Sequence, residues 1–442
     1  MSTDALIWDA AVETLARERL QELQLARLRT TVERVLSRVE PAAARLRAAG
    51  LTSADELRSL ADLRRLPFTT KDHLLDAYPF GLFAVPRNEV LRIHASSGTK
   101  GKPKIVGYTR DDLATWSEVM ARALVMAGVR PGMVVHNAYG YGLFTGGLGF
   151  HQGAERLGCT VVPMSGGVTG RQVQFLHDLG AQVLAATPSY ALSIADAIDA
   201  AGVPRSELKL EVGMFGAEPW TEEMRRELER RLGLTALNIY GLSEIIGPGV
   251  SSECREGRHG LHIQEDHFLP EVVDPITGEP LPPGAEGELV LTTLTKQALP
   301  ILRYRTGDIT SLDDAPCPCG RTTARMRRIK GRYDDMLIIR GINLYPSEVE
   351  RILLSVPDVA PHYQLVVDRP GALDEISLRC EPAHAAVDRA QLASRLADTL
   401  HQQTGLRFQV EVLEPERVPR SEGKAVRVID RRPSGVSTPQ RS

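Results

Sequence analysis

The sequence predicts an α/β fold with α+β elements: a large N-terminal domain of parallel α/β sheets with a small β-rich subdomain, then a small α+β C-terminal domain. Three observations carry this expectation. Short apolar β-branched runs alternate with helical stretches in the middle of the chain, turn-rich β texture begins at residue 261, and about a hundred residues with their own βα pattern follow residue 355. At 442 residues the chain also exceeds what a single core organises, so two or more domains are expected.

In chain order, apolar residues three and four apart among arginines predict helices to about residue 65. "TTKDHLLD" reads as a helix start with Thr70 as N-cap, which points Lys71 outward. The runs "GMVVHNAY", "CTVVPM" and "AQVLAAT" read as strands, and "DDLATWSEVMARALVMAG" and "TGRQVQFLHDLG" as the helices between them. "DPITGEPLPPGAEGELVLTTL" places Pro/Gly turns ahead of an alternating strand. The expected boundaries are 1–333 for the large domain, with 250–325 β-rich, 334–431 for the small one, and a Pro/Ser-rich disordered tail at 432–442.

Composition narrows the function. With 43% hydrophobic and 25% charged residues, a net charge of −3 and no Lys/Arg run, the chain predicts a globular protein without a nucleic-acid partner. It shows neither a secretory leader pattern nor an apolar run of membrane-spanning length. Five scattered cysteines do not describe a disulfide framework, so a reducing cytoplasm is expected.

Two constellations carry chemistry. "HASSGTKGKPKIVGYT", residues 94–109, holds three of only eight lysines in a chain with forty-five arginines. Its Ser/Thr/Gly backbone leaves N–H groups and hydroxyls free to wrap phosphate oxygens, with lysine as counter-charge. It departs from the Walker pattern, because Ser96 and Pro103 stand where that pattern needs Gly and Ser/Thr. The second constellation is Cys317 and Cys319, too close for an unstrained disulfide, with Cys254 and a histidine of "ECREGRHGLH". Three thiols and one imidazole make a closed tetrahedral zinc site, with His262 preferred and His259 as the alternative ligand. Unlinked reduced cysteines are the competing reading. Cys159 and Cys380, isolated in apolar runs, read as buried and inert.

"SSGTKGKPK" resembles the phosphate loop of the adenylate-forming superfamily: acyl-CoA synthetases, peptide-synthetase adenylation domains and luciferases. "NIYGLSE" (238–244), "GELVLTTL" (287–294), "RYRTGDI" (303–309), "IKGRYDDMLIIRGINLYPSEVE" (329–350) and "RSEGKAVRV" (420–428) match it in the same order. Longer segments, among them "NAYGYGLFTGGLGFHQGAERLGCTVVPMSGG" and "EDHFLPEVVDP", are similar to phenylacetate–CoA ligases.

That resemblance implies ATP-dependent activation of an aromatic carboxylic acid to an acyl-adenylate, then transfer to CoA with release of AMP and pyrophosphate. It implies an ATP cradle of Ser96, Ser97, Gly98, Thr99, Lys100 and Gly101, with Lys100 where the family usually has threonine. Adenine would lie between Tyr240, followed by Gly241, and the wall Gly216, Ala217, Glu218 and Pro219. Asp308 would take the ribose hydroxyls, Arg332 the ribose or phosphates, and Glu244 a Mg²⁺ ion, with Ser243 near the α-phosphate or carboxylate. Lys424 would be the catalytic lysine of the first half-reaction, and Asp334 the hinge about which the mobile small domain turns. Tyr139, Tyr141, Phe144 and Gly147 would line the acid pocket, and Lys71 would reach the substrate carboxylate unless it serves only the helix start. The expected partners are a small aromatic acid and CoA, or a carrier-protein phosphopantetheine in trans; a homodimer is compatible with the chain, and no nucleic acid or membrane partner is expected. The alternatives are an aryl-acid AMP ligase loading a carrier protein, and a non-catalytic nucleotide-binding protein on the same scaffold.

Overall fold

A computed structural model describes residues 7–96, 102–371, 373–421 and 423–432. At its centre the strands Thr160–Val162, Val134–Asn137, Val183–Ala186, Val212–Gly216 and Thr235–Leu242 lie side by side in that order, all parallel. Val183–Ala186 and Val212–Gly216 are buried throughout, as expected of strands covered by helices on both faces. Four antiparallel strands extend the same sheet: Gly247–Glu253, Leu261–Ile263, Arg325–Met326 and Leu312–Asp313.

Local chemistry starts the flanking helices. Before Arg110–Met126, Thr109 Oγ1 accepts the Asp112 N–H at 3.1 Å while the Asp112 carboxylate accepts the Thr109 N–H at 2.9 Å. The same carboxylate accepts the Gln297 and Ala298 N–H groups at 2.6 and 2.9 Å, which fastens the helix to the second sheet's loop. Pro188–Ala200 begins with Pro188 after Thr187, whose hydroxyl accepts the Tyr190 N–H at 3.2 Å. The amino-terminal helices Arg17–Arg38 and Glu40–Ala48 fall where the arginine-rich periodicity predicts them.

A second, antiparallel sheet has the order Phe268–Val273, Gly287–Thr293, Tyr304–Thr310 and Gly331–Arg332, with Asp308 opposite Arg332. Beyond a short turn at Tyr333–Asp335 the chain builds a separate apolar core. There a four-stranded sheet of Phe408–Val412, Glu375–Pro382, Val359–Asp368 and Val428–Asp430 packs with the helices Pro346–Ser355 and Arg389–Thr404. The mixed α/β architecture with an α+β carboxy-terminal part is the expected fold class. The 433–442 tail lies outside the described residues.

Candidate active site

The carboxyl ends of the parallel strands are where open α/β sheets place their ligands, and the predicted residues collect there. Gly216 ends its strand so close to the neighbouring one that an added Cβ would lie 2.0 Å from the Ile239 carbonyl oxygen. Ala217 follows in a left-handed conformation at φ +70°, which turns the chain over the sheet edge. On the next strand Gly241 meets the Gly247 carbonyl equally closely.

Tyr240 and Asp308 come together from different sheets. The Tyr240 hydroxyl donates to Asp308 Oδ2 at 2.6 Å, and Arg332 Nη1 lies 3.9 Å from Oδ1. Burial raises the Asp308 carboxyl, partly offset by the Arg332 charge and the Tyr240 hydrogen bond. Arg332 Nε donates to Asp334 Oδ1 at 2.9 Å, so Asp308, Arg332 and Asp334 form one ion-paired group.

Glu244 is buried beneath them. Its carboxylate pairs with Lys104 Nζ and accepts the Tyr304 hydroxyl at 3.3 Å, and Lys296 Nζ donates to its carbonyl at 3.1 Å. Burial pushes Glu244 up, but the Lys104 charge outweighs this and holds it below the usual range, so the group is anionic at neutral pH. Ser243 is buried beside it, its hydroxyl 3.2 Å from Thr145 Oγ1. Ser97, Gly98, Thr99, Lys100 and Gly101 lie outside the described residues, but their anchors are clear. Arg92–Ser96 pairs antiparallel with Lys104–Tyr108, Ser96 opposite Lys104, and the buried Ser96 hydroxyl has no partner among the described residues.

The proposed acid-pocket residues divide. Tyr139 is buried and stacked on Phe150 at 4.9 Å, Gly147 packs against the Gly140 carbonyl, and Tyr141 takes a 2.8 Å hydrogen bond from Asn137 Nδ2. Phe144 is 56% exposed, so it does not wall a closed cavity. Lys71 is the remaining predicted substrate contact. It opens the helix Lys71–Asp76, after Thr70 as expected, and its Nζ sits 3.4 Å from Asp334 Oδ2.

Lys424 lies on an exposed loop that reaches back to the large sheet. Glu218 Oε2 accepts the Ala425 N–H at 2.9 Å, and Thr187 Oγ1 donates to the Gly423 carbonyl at 2.8 Å. These contacts were not legible in sequence, because they join side chains to backbone more than two hundred residues away. Lys104 carried a fair signal, the clustering of scarce lysines; Thr145 and Tyr304 lay inside quoted motifs without a role assigned to them, and Lys296 carried no signal.

At the other side of the large sheet Cys254, His262, Cys317 and Cys319 are buried with all four ligand atoms within 4.8 Å of one another. His262 presents Nε2 to Cys319 Sγ at 3.4 Å, and its Nδ1 lies 3.2 Å from the Thr323 carbonyl, which fixes the ring. Cys254 and Cys317 stand 3.5 Å apart, and a Cβ on Gly257 would fall 2.7 Å from Cys317 Sγ. His259 is not in this group; its carbonyl accepts from Arg327 Nη1 at 3.4 Å. Cys159 and Cys380 are buried, and burial pushes their thiols up to about 11 and about 12.

Comparison with known proteins gives a consistent pattern. Residues 83–294 match the AMP-binding enzyme family and 341–432 its C-terminal domain. The chain is 53% identical to a phenylacetate-coenzyme A ligase of Thermus thermophilus, over 97% of this chain and 100% of that protein. A 2-hydroxyisobutyryl-CoA ligase in its postadenylation state superposes with a TM-score of 0.91 at 28% identity, covering 97% of this chain and 93% of the other. The same ligase in its thioesterification state gives 0.73 at 29% identity, covering 98% and 94%.

Proposed function

Because the chain belongs to the phenylacetate–CoA ligase family of AMP-binding enzymes, we propose that it activates phenylacetate, or a closely similar aryl acid, with ATP and transfers the acyl group to CoA. It is an AMP-forming acid–CoA ligase. The observation that carries the site assignment is the return of the Lys424 loop to the strand ends where Glu244, Tyr240, Asp308 and Arg332 converge.

In the first half-reaction a carboxylate oxygen of the acid attacks the α-phosphorus of ATP, and the bond to the bridging oxygen breaks as pyrophosphate leaves. Lys424 lies between the two anions and offsets their charge as they approach. Asp308, oriented by the Tyr240 hydroxyl, accepts the ribose hydroxyls, and Arg332 stays beside it. Ser96 and its following loop supply donors to the phosphates, and Thr145 holds the Ser243 hydroxyl toward the reacting end. A Mg²⁺ ion bound at Glu244 would neutralise phosphate charge, and a buried, ionised carboxylate suits it. In the second half-reaction the CoA sulfur attacks the acyl carbonyl and AMP leaves. Lys424 has to withdraw for that, by rotation at Asp334, and the higher likeness to the postadenylation form supports the present arrangement as the adenylating one.

A structural zinc ion held by Cys254, His262, Cys317 and Cys319 completes the reading. The donor set is three sulfurs and one imidazole nitrogen in a closed buried group, which suits tetrahedral zinc without an open position. All five cysteines are unpaired, which fits a reducing cytoplasm. ATP–pyrophosphate exchange with benzoic, phenylacetic, anthranilic and heteroaryl acids tests the function, followed by CoA addition to the best substrate. Phenylacetate should support exchange and yield a thioester with CoA; exchange with none of the acids would overturn the proposal.

A further inference from the structure

One face of the Pro188–Ala200 helix receives the segment that carries Lys424. Ser189, Ser193 and Asp196 recur at steps of four and three, which aligns them along the helix, and Thr187 caps its start. Each meets the carboxy-terminal part. The Ser189 hydroxyl accepts from Arg427 Nη2 at 3.1 Å, Ser193 Oγ lies 3.3 Å from the Ser421 carbonyl, and Asp196 Oδ2 meets His362 Nε2 at 3.0 Å and Arg420 Nε at 3.3 Å. Arg231 Nη1 holds the other Asp196 oxygen at 2.7 Å from within the large domain.

Two contacts lie immediately on either side of Lys424. Thr187 Oγ1 donates to the Gly423 carbonyl at 2.8 Å while accepting the Tyr190 N–H, so the cap of the helix also holds the loop. Glu218 takes the Ser189 N–H on Oε1 at 2.7 Å and the Ala425 N–H on Oε2 at 2.9 Å. Its carboxylate therefore joins the helix start directly to the peptide after Lys424. A carboxylate accepting two backbone N–H groups makes charge-assisted bonds, stronger than neutral ones. Lys424 itself remains exposed, with its neighbours Gly423 and Ala425 held on both sides.

We propose that Thr187 and Glu218 are positioning residues for Lys424, and that with Ser189, Ser193 and Asp196 they form a docking rail that holds the lysine loop in place for the adenylation step alone. The rail touches the loop only while it lies against the large domain, so it contributes nothing after the small domain has rotated away. Glu218 thereby gains a role beyond an adenine wall. The inference rests on the reading of Lys424 as the cation of the first half-reaction.

The test compares full-length Thr187→Val, Glu218→Gln and Asp196→Asn with Lys424→Ala and the unmodified enzyme. Two rates are measured with phenylacetate: ATP–pyrophosphate exchange, and thioester formation from supplied phenylacetyl-adenylate and CoA. Thr187→Val removes the hydroxyl at nearly constant shape, and Glu218→Gln must turn an amide nitrogen toward one of two N–H donors. Each should lower the exchange kcat about tenfold relative to the thioester rate; Thr187→Val, which lies outside the adenine wall, should also leave the KM for ATP and the thioester rate themselves unchanged. Asp196→Asn, farther along the rail and distant from the ATP residues, should act in the same direction and more weakly. Equal loss in both half-reactions, a raised KM for ATP at unchanged exchange kcat, or undiminished exchange in the two main variants would each overturn the rail. If Lys424→Ala abolishes exchange while Thr187→Val and Glu218→Gln do not, the rail fails and the lysine assignment stands. If Lys424→Ala retains exchange, the assignment fails and takes the rail with it.

Discussion

At Gly216 a single methyl group separates a usable strand end from a collision. The Ile239 carbonyl lies where a Cβ would sit, and a backbone atom in a central sheet cannot move aside cheaply. Gly216→Ala should therefore cost about 1–3 kcal/mol of stability, read as a lowered unfolding temperature, and should raise the KM for ATP through displacement of Ala217. Lys104 presents the opposite situation, a charge that the fold needs. Removing it with Lys104→Ala leaves Glu244 buried without its main cation, at a cost of about 3 kcal/mol by the same thermal measurement. Substitution of both partners by apolar residues should recover part of that loss. The lysine clustering around the phosphate loop pointed to Lys104, but which of the three lysines would meet a buried carboxylate depended on pairing between strands, with Ser96 opposite Lys104.

At the scale of elements, the Cys/His group joins strands that sequence alone leaves separate. Cys254 follows one strand, His262 lies on the next, and Cys317 and Cys319 sit in the turn before Arg325–Met326, which pairs with His262. Metal analysis of the purified protein should find about one zinc per chain, and Cys317→Ser should lose it together with thermal stability. Full retention of both would remove the zinc from the account. The choice between His262 and His259 was legible in outline, because His262 falls in a run that reads as ordered, and the structure brings it to the thiols. The docking helix was not legible: nothing in the local sequence marks Thr187 or Asp196 as contacts of a segment more than 150 residues away. Burial alone would raise Asp196, but His362 and Arg231 outweigh it and hold the carboxyl down to about 2, below its ordinary 3.8. A depressed carboxyl stabilises the docked form above pH 4 and loses that effect as the pH falls toward 2. Asp196→Asn should consequently weaken the protection of the 330–340 linker from proteolysis at neutral pH.

For the whole molecule, order of motifs and alternation of strands with helices were enough to read the fold class, since both are local patterns repeated along the chain. The arrangement of the two parts was not, because it depends on which of several docked positions the small domain occupies. Here the peptides on either side of Lys424 lie against the large domain, and the chain between Arg332 and Leu337 carries the turn with Asp334, itself paired to Lys71 and Arg332. In the proposed mechanism one cation, Lys424, serves one half-reaction in this arrangement. Its most direct test is Lys424→Ala assayed separately for adenylate formation and for thioester formation from supplied phenylacetyl-adenylate. The expected result is loss of the first with the second largely intact; equal loss of both would rule out that division of labour.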